Sequence, residues 1–213
     1  MTARRRDATS MGWVRMRVVA SPGCSWKTAA VGEASLRKTK NGLVADGSGW
    51  FVLNARESRW RDAGPLGRFC TFEGKPRFPQ IGLNINVLQP GQPMAMYHRE
   101  KAQEAFLVVA GECVLIVEGE ERRLRTWDFF HCAPMTEHVI VAAGNDVAVV
   151  VAVGARGRGV GGGVVYLVCP RASRHGASVE QETTDASEAY ASAYAGLPRS
   201  KWIRYSASWL PEG

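Results

Sequence analysis

Apolar and polar positions alternate through the middle of this 213-residue chain with a period of two, the spacing of side chains along a β-strand. In 81–88, Ile81, Leu83, Ile85 and Val87 fall on one face and Asn84 and Asn86 on the other, which predicts a half-buried strand. Met94, Met96, His98 and Glu100 share one face of the next stretch, and Glu104, Phe106, Val108 and Ala110 share one face of the stretch after it. Further strands are predicted over 112–117, 122–125, 127–132, 137–142 and 147–153. Most are separated by turn signals: Ala110-Gly111, Glu118-Gly119-Glu120-Glu121, Ala133-Pro134-Met135-Thr136 and Ala143-Gly144-Asn145-Asp146. Short strands at this spacing, with no helical period between them, predict an all-β fold: an antiparallel barrel or sandwich.

The flanks read differently. Residues 33–80 mix short apolar pieces with charged, turn-rich stretches and are expected to form an N-terminal arm of one or two strands on a barrel spanning 81–170. Trp50, Phe51, Trp60, Phe69 and Phe72 are read as packing residues. Residues 171–213 form a C-terminal extension. There Asp185 to Glu188 has the spacing of a helix cap, predicting a helix over about 186–195 that stops at Gly196 and Pro198. Trp202, Tyr205 and Trp209 are expected to dock on the barrel or on a second subunit. Gly157 to Gly162 matches the dinucleotide fingerprint G-x-G-x-x-G, but it runs into Val164-Val165-Tyr166 rather than opening a helix, so it reads as a Gly-rich connection.

With 46% hydrophobic residues, the chain has the means for one well-buried core plus extensions. Its net charge of +7 is localised: residues 1–40 carry nine Lys or Arg against two carboxylates, while the rest carries eighteen of each. The body therefore shows no electrostatic footprint for nucleic acid. Arg15 and Arg17 interrupt what would have to be the apolar core of a signal peptide, so residues 1–32 read as a disordered basic leader. Five cysteines with no C-x-x-C pair fit neither a disulfide framework nor a zinc ribbon, and imply reduced thiols and a cytoplasmic protein. The longest apolar run, 147–153, is far short of the ~20 residues of a membrane helix, so no membrane partner is expected.

The chemistry concentrates in 90–142. Imidazole and carboxylate donors suit divalent Mn, Fe, Co, Ni or Zn, and strand alternation lets one imidazole, His98, and two carboxylates, Glu100 and Glu104, converge. His98, Glu104 and Gly111 keep the spacing of the first motif of the cupin superfamily, His-x-His, three or four residues, Glu, six residues, Gly, with Glu100 in the second His slot. Trp127–Ala142 resembles a worn second motif: only His138 keeps its key position, while Trp127, Ala133, Met135 and Ala142 stand in the usual Gly, Pro, Gly and Asn slots. The resemblance covers about 83–154.

This likeness implies a cupin-type antiparallel jelly-roll barrel, here with an N-terminal arm and a short C-terminal helix, and a divalent transition metal held by His98, Glu100, Glu104 and His138. For Glu100 three readings stand: a ligand, a general base beside the metal, or a carboxylate at the rim. His131 is expected to be packed and His175 exposed, and Met94, Met96 and Phe106 would make an apolar wall. The resemblance further implies a small-molecule ligand or substrate and a homodimer. Two functions follow: a metalloenzyme of dioxygenase- or isomerase-like type, or a non-catalytic binding or sensor module using the same pocket. Similar actinobacterial-looking sequences begin near Gly32, which offers a second reading of residues 1–32, as a stretch upstream of the native start.

Overall fold

The computed structural model describes residues 31–75, 77–156, 163–197, 200–206 and 208–212, and the compact unit discussed below spans Gly32–Gly213. The leader up to residue 30, Cys24 within it, and the Gly157–Gly162 stretch lie outside the described residues.

The strands, in chain order, are β1 (Ser35–Thr39), β2 (Gly42–Asp46), β3 (Arg59–Asp62), β4 (Arg68–Cys70), β5 (Ile81–Leu88), β6 (His98–Arg99), β7 (Glu104–Ala110), β8 (Glu112–Val117), β9 (Glu120–Arg125), β10 (Phe129–Cys132), β11 (His138–Ala143), β12 (Ala148–Ala155), β13 (Val165–Tyr166) and β14 (Lys201–Arg204), with the short helices α1 (Pro170–Ser173) and α2 (Ala186–Ala189) between the last two. Among the described residues they form a hairpin, β1-β2, and two larger sheets. One is ordered β10-β7-β12-β5-β4-β3-β14 and the other β13-β6-β11-β8-β9, with every pairing antiparallel. The two sheets close on a shared core. Leu88, Phe106, Val108 and Val150 come from the first sheet, and Cys113, Leu115, Ile140 and Ala142 from the second. This is the antiparallel barrel predicted from the spacing of short strands, in the jelly-roll form that the cupin resemblance implies.

The polar face of β5 is the first departure from the sequence reading. A strand with Asn84 and Asn86 on one face was expected to turn them to water, yet Asn86 is buried and both asparagines line a cavity inside the barrel. The opposite face is also covered: Val87, with Ile85 against it, packs with Trp60, Cys70 and Val149 under Tyr205, Trp209 and Leu210. A buried polar face persists because the cavity it lines is itself polar.

Beyond packing on the barrel, the N-terminal arm extends it, since β4 pairs with β5, β3 with β4, and the C-terminal β14 with β3. Trp60 is fully buried at the centre of this annex. Its Nε1 donates to the Ala55 carbonyl at 2.8 Å, and its ring meets Tyr205 and Trp209 at centroid separations of 5.8 and 5.5 Å. Trp50, by contrast, is exposed. The buried Glu73 carboxylate ties the arm to the end of β12 by accepting from Arg156 and from the Phe78 amide. The four described cysteines, Cys70, Cys113, Cys132 and Cys169, are free and buried. No described helix is long and apolar enough to cross a membrane.

Several boundaries move. The stretch 94–100 is regular only at β6, because the chain approaches through a bridge at Pro93 and bends at 94–97, so Met94 and Met96 no longer share a face. Met94 packs on the barrel core, whereas Met96 is buried with Tyr166, Val179 and Ala189 and forms no wall of the cavity. The predicted helix over 186–195 is regular only in α2, capped by Asp185 accepting from the Ser187 amide, and continues as turns through Gly196.

The predicted strand 127–132 starts at Phe129, because Trp127 has φ 76° and belongs to the preceding turn. Met135 has φ 69°. Both stand in glycine slots of the second motif, so the left-handed conformations persist without glycine, at a cost of about 1–2 kcal/mol each. Trp127 is 73% exposed and contributes little burial to lose, so Trp127→Gly is expected to raise stability by about 1 kcal/mol in chemical denaturation. Gly111→Ala should do the reverse, by about 2 kcal/mol or more, since the residue has φ 72° and a Cβ there would lie 2.5 Å from the Val147 carbonyl oxygen.

Candidate metal centre

Cross-strand pairing brings the histidines together. His98 on β6 is the direct antiparallel partner of His138 on β11, and their rings are 4.7 Å apart between centroids. The two-residue strand β6 is held on both sides, because His98 also pairs with Tyr166 of β13. Next to it, Tyr97 is fully buried, its hydroxyl accepting from the Gly119 amide and lying 3.2 Å from Glu137, which also takes an ion pair from Arg99 at 3.0 Å. Glu104 arrives from the facing sheet as the first residue of β7, opposite Cys132 and Gly154.

One donor atom from each of His98, Glu104 and His138 lies within 4.8 Å of the others. The His98 Nδ1 lies 2.8 Å from the Met96 carbonyl oxygen and the His138 Nδ1 3.1 Å from the Thr136 carbonyl oxygen. A carbonyl accepts only, so each ring carries its hydrogen on Nδ1. In the neutral form that leaves the Nε2 lone pair free, the tautomer arrangement of metal-ligating histidines. The Glu104 Oε2 is 3.3 Å from the His138 Nε2, yet this buried oxygen has no aligned hydrogen-bond donor. An unsatisfied buried carboxylate oxygen beside two imidazole nitrogens fits a divalent cation, whose charge would complete it.

Glu100 does not join this group of donors among the described residues. It lies close enough to feel the charges of Glu104 and His138, and burial followed by the Glu104 charge raises its carboxyl to about 7. The cavity encloses about 180 Å³ and is lined by Asn84, Asn86, Met94, His98, Glu104, Phe106 and His138 among others. The two asparagines escaped the sequence reading. Their signal was a pair of amides two residues apart in an otherwise apolar strand. His131 is exposed rather than packed, since it lies on the outward side of edge strand β10, and His175 is half-buried rather than exposed, 3.4 Å from Glu121.

Comparison with known proteins places residues 84–154 in the family model described as Cupin domain. No curated protein matches the chain. Among solved structures, a sugar phosphate isomerase from a cupin superfamily, from Silicibacter pomeroyi, is 18% identical with a TM-score of 0.42, covering 74% of this chain and 83% of that one. An RmlC-like cupin from Shewanella frigidimarina is 17% identical with a TM-score of 0.43, covering 50% and 91%. A candidate sugar phosphate isomerase from Acidithiobacillus ferrooxidans is 23% identical with a TM-score of 0.36. It covers 40% of this chain, which spans 54% of its length.

The two imidazoles differ in charge. Burial, then the neighbouring His138, lowers the pKa of His98, which stays neutral. Burial would lower His138 too, but the Cys132 thiol, with Sγ 3.4 Å from Nδ1, and Glu104 outweigh it and hold it at about 10. A raised pKa contributes stability that is full below the ordinary imidazole value of ~6.5 and lost as pH climbs through about 10. The lowered pKa of His98 acts in the opposite sense, its contribution fading as pH drops below ~6.5. In metal-free protein at pH 8, ¹⁵N spectra should show a doubly protonated His138 and a neutral His98. In denaturation series, His138→Asn should flatten the alkaline decline; a neutral His138 at pH 8 would contradict this.

Proposed function

We propose that this cupin-domain protein holds a divalent transition metal, one of Mn, Fe, Co, Ni or Zn, through the Nε2 atoms of His98 and His138 and the Glu104 carboxylate, and presents it to a small polar or carboxylate-bearing molecule for dioxygenase- or isomerase-like chemistry. The observation that carries the reading is the convergence of three donors within 4.8 Å, both imidazoles having their Nδ1 atoms tied to carbonyls. When bound, such an ion acts as a Lewis acid that polarises an oxygen of the ligand. The protein's own residues do the rest. Phe106 and Met94 exclude water, and Asn84 and Asn86 offer amide donors and acceptors to orient a polar ligand. Glu100, close enough to Glu104 and His138 to feel their charges, would be the group that moves a proton to or from that ligand.

Replacing His98, Glu104 or His138 by Ala should remove most of the bound metal in element analysis, while His175→Ala should leave it intact. Glu100→Gln should keep the metal and lose turnover. Metal loss would make Glu100 a ligand, and no effect would make it a rim group. Because a metal must displace the proton of His138, uptake at pH 8 should release about one proton, and affinity should rise with pH up to about 10. Oxygen uptake by Fe(II)-loaded protein against small acids, catechols and thiols tests the dioxygenase branch, and conversion of sugars or their phosphates the isomerase branch. Ligand-induced thermal shifts with no turnover in either would make the pocket a binding module instead. Wild-type protein that stays metal-free after dialysis against all five ions would overturn the proposal.

We also propose a homodimer. Among the described residues strand β10 is one edge of its sheet, with Phe129 64% exposed beside the exposed Trp127, and such edges invite pairing. Light scattering should give twice the chain mass, falling to one in Phe129→Glu. A single-chain mass for the wild type at high concentration would refute it.

A further inference from the structure

A second cavity, of about 350 Å³, adjoins the metal cavity and shares Asn84 with it. The connection follows from register. Asn86 of β5 pairs with Phe69 of β4, Phe69 with Arg61 of β3, and Arg61 with Trp202 of β14. Residues paired in an antiparallel ladder share a face. The face carrying the asparagines of the metal cavity therefore runs without interruption to Arg61 and Trp202. Four arginines, Arg59, Arg61, Arg77 and Arg156, line the second cavity against one carboxylate, Glu73.

That carboxylate is already committed to Arg156, and among the described residues no acidic group lies within ion-pair distance of Arg59, Arg61 or Arg77. The guanidiniums of Arg59 and Arg61 are nevertheless held in place. Trp202 has the Arg59 guanidinium carbon 3.9 Å and that of Arg61 5.1 Å from its ring centroid, and Arg61 Nε donates to Ser200 Oγ at 2.8 Å. The Arg59 Nε is buried with no acceptor. Burial, then the charges of Arg37 and Arg61, lower the pKa of Arg59. Guanidiniums fixed on an aromatic face, one with a buried donor unused, form a seat for an oxyanion. Three uncompensated positive charges match a phosphate dianion better than a monocarboxylate.

We infer that the ligand of the metal cavity is a small phosphorylated molecule, whose phosphate sits on Arg59, Arg61 and Arg77 while its polar end reaches past Asn84 towards His98, Glu104 and His138. The inference rests on the metal reading for the second end only. Two titrations separate the parts. Metal-free protein titrated with inorganic phosphate, followed by ³¹P line width and calorimetry, should bind phosphate and not acetate. Arg59→Gln/Arg61→Gln should weaken binding about tenfold or more, and Arg77→Gln, a change at an exposed side chain, should weaken it several-fold without touching the fold.

Mn(II)-loaded protein, freed of excess ion, should then enhance ³¹P relaxation of bound phosphate, and the enhancement should vanish in His98→Ala. Absent phosphate binding, binding equal to that of acetate, or binding untouched by all three substitutions overturns the phosphate seat. Phosphate bound with no relaxation enhancement, while element analysis shows Mn present, overturns the shared ligand. Phosphate bound with no Mn retained overturns the metal reading, and the shared ligand with it, leaving the arginine seat standing.

Discussion

The pairing of His98 with His138 across β6 and β11 is the contact on which the rest of the site depends. β6 has only two residues, and its place is decided by neighbours: β11 on one side, β13 on the other, and the Tyr97 and Arg99 contacts to Glu137 beneath. Because strand side chains alternate with a period of two, a slip of β6 by one residue would turn His98 out of the cavity and away from His138. The carbonyls of Met96 and Thr136, each two residues before its histidine, then choose the tautomer that frees Nε2. Glu104 meets them from the opposite sheet, so the donor group exists only when the two sheets close on their shared core.

Burying that group is costly, and the barrel shows where the cost is met. The Glu104 carboxylate, a neutral His98 and a charged His138 occupy a space walled by Phe106 and Met94. The Cys132 thiol and Glu104 offset the desolvation of His138, and the amides of Asn84 and Asn86 keep the remaining wall polar. The apolar side of β5 compensates by carrying a second packed layer around Trp60. Strand β5 thus sets two amides against the cavity on one side and a covered apolar layer on the other, where a half-buried strand would meet water.

That outer layer also explains the annex. β3 and β4 from the arm and β14 from the C-terminal segment widen the sheet well past the 84–154 cupin region. Their outward residues, Trp60 and Ile203, pack with Tyr205 and Trp209, and their other face brings Arg61, Phe69 and Trp202 into line with the asparagines of β5. One face stabilises, and the other adds a charged neighbour to the metal cavity.

Alternation of residue types determined much of this. Period-two patterning with turn signals was enough for the antiparallel strands of a barrel or sandwich, because strand side chains and short turns are local properties, and the resemblance of the motif spacing added the jelly roll. The spacing of His98, Glu104, Gly111 and His138 was enough to nominate the three donors that converge. Facing and distant pairing were not legible. Asn84 and Asn86 read as a solvent face because polarity in a sequence does not distinguish bulk water from a polar cavity. Met96 read as a cavity wall because alternation assumes a regular strand, and the bend at 94–97 breaks it. The glycine slots taken by Trp127 and Met135 looked like a lost motif, although the left-handed conformations persist. The arginine cavity joins residues from β3, β4, the loop before β5, β5 itself, the end of β12 and β14, and the hydrogen-bonded register that brings β14 to β3 links segments more than a hundred residues apart. Only the closed sheet decides such long-range register, because each pairing becomes favourable only once its neighbours are in place.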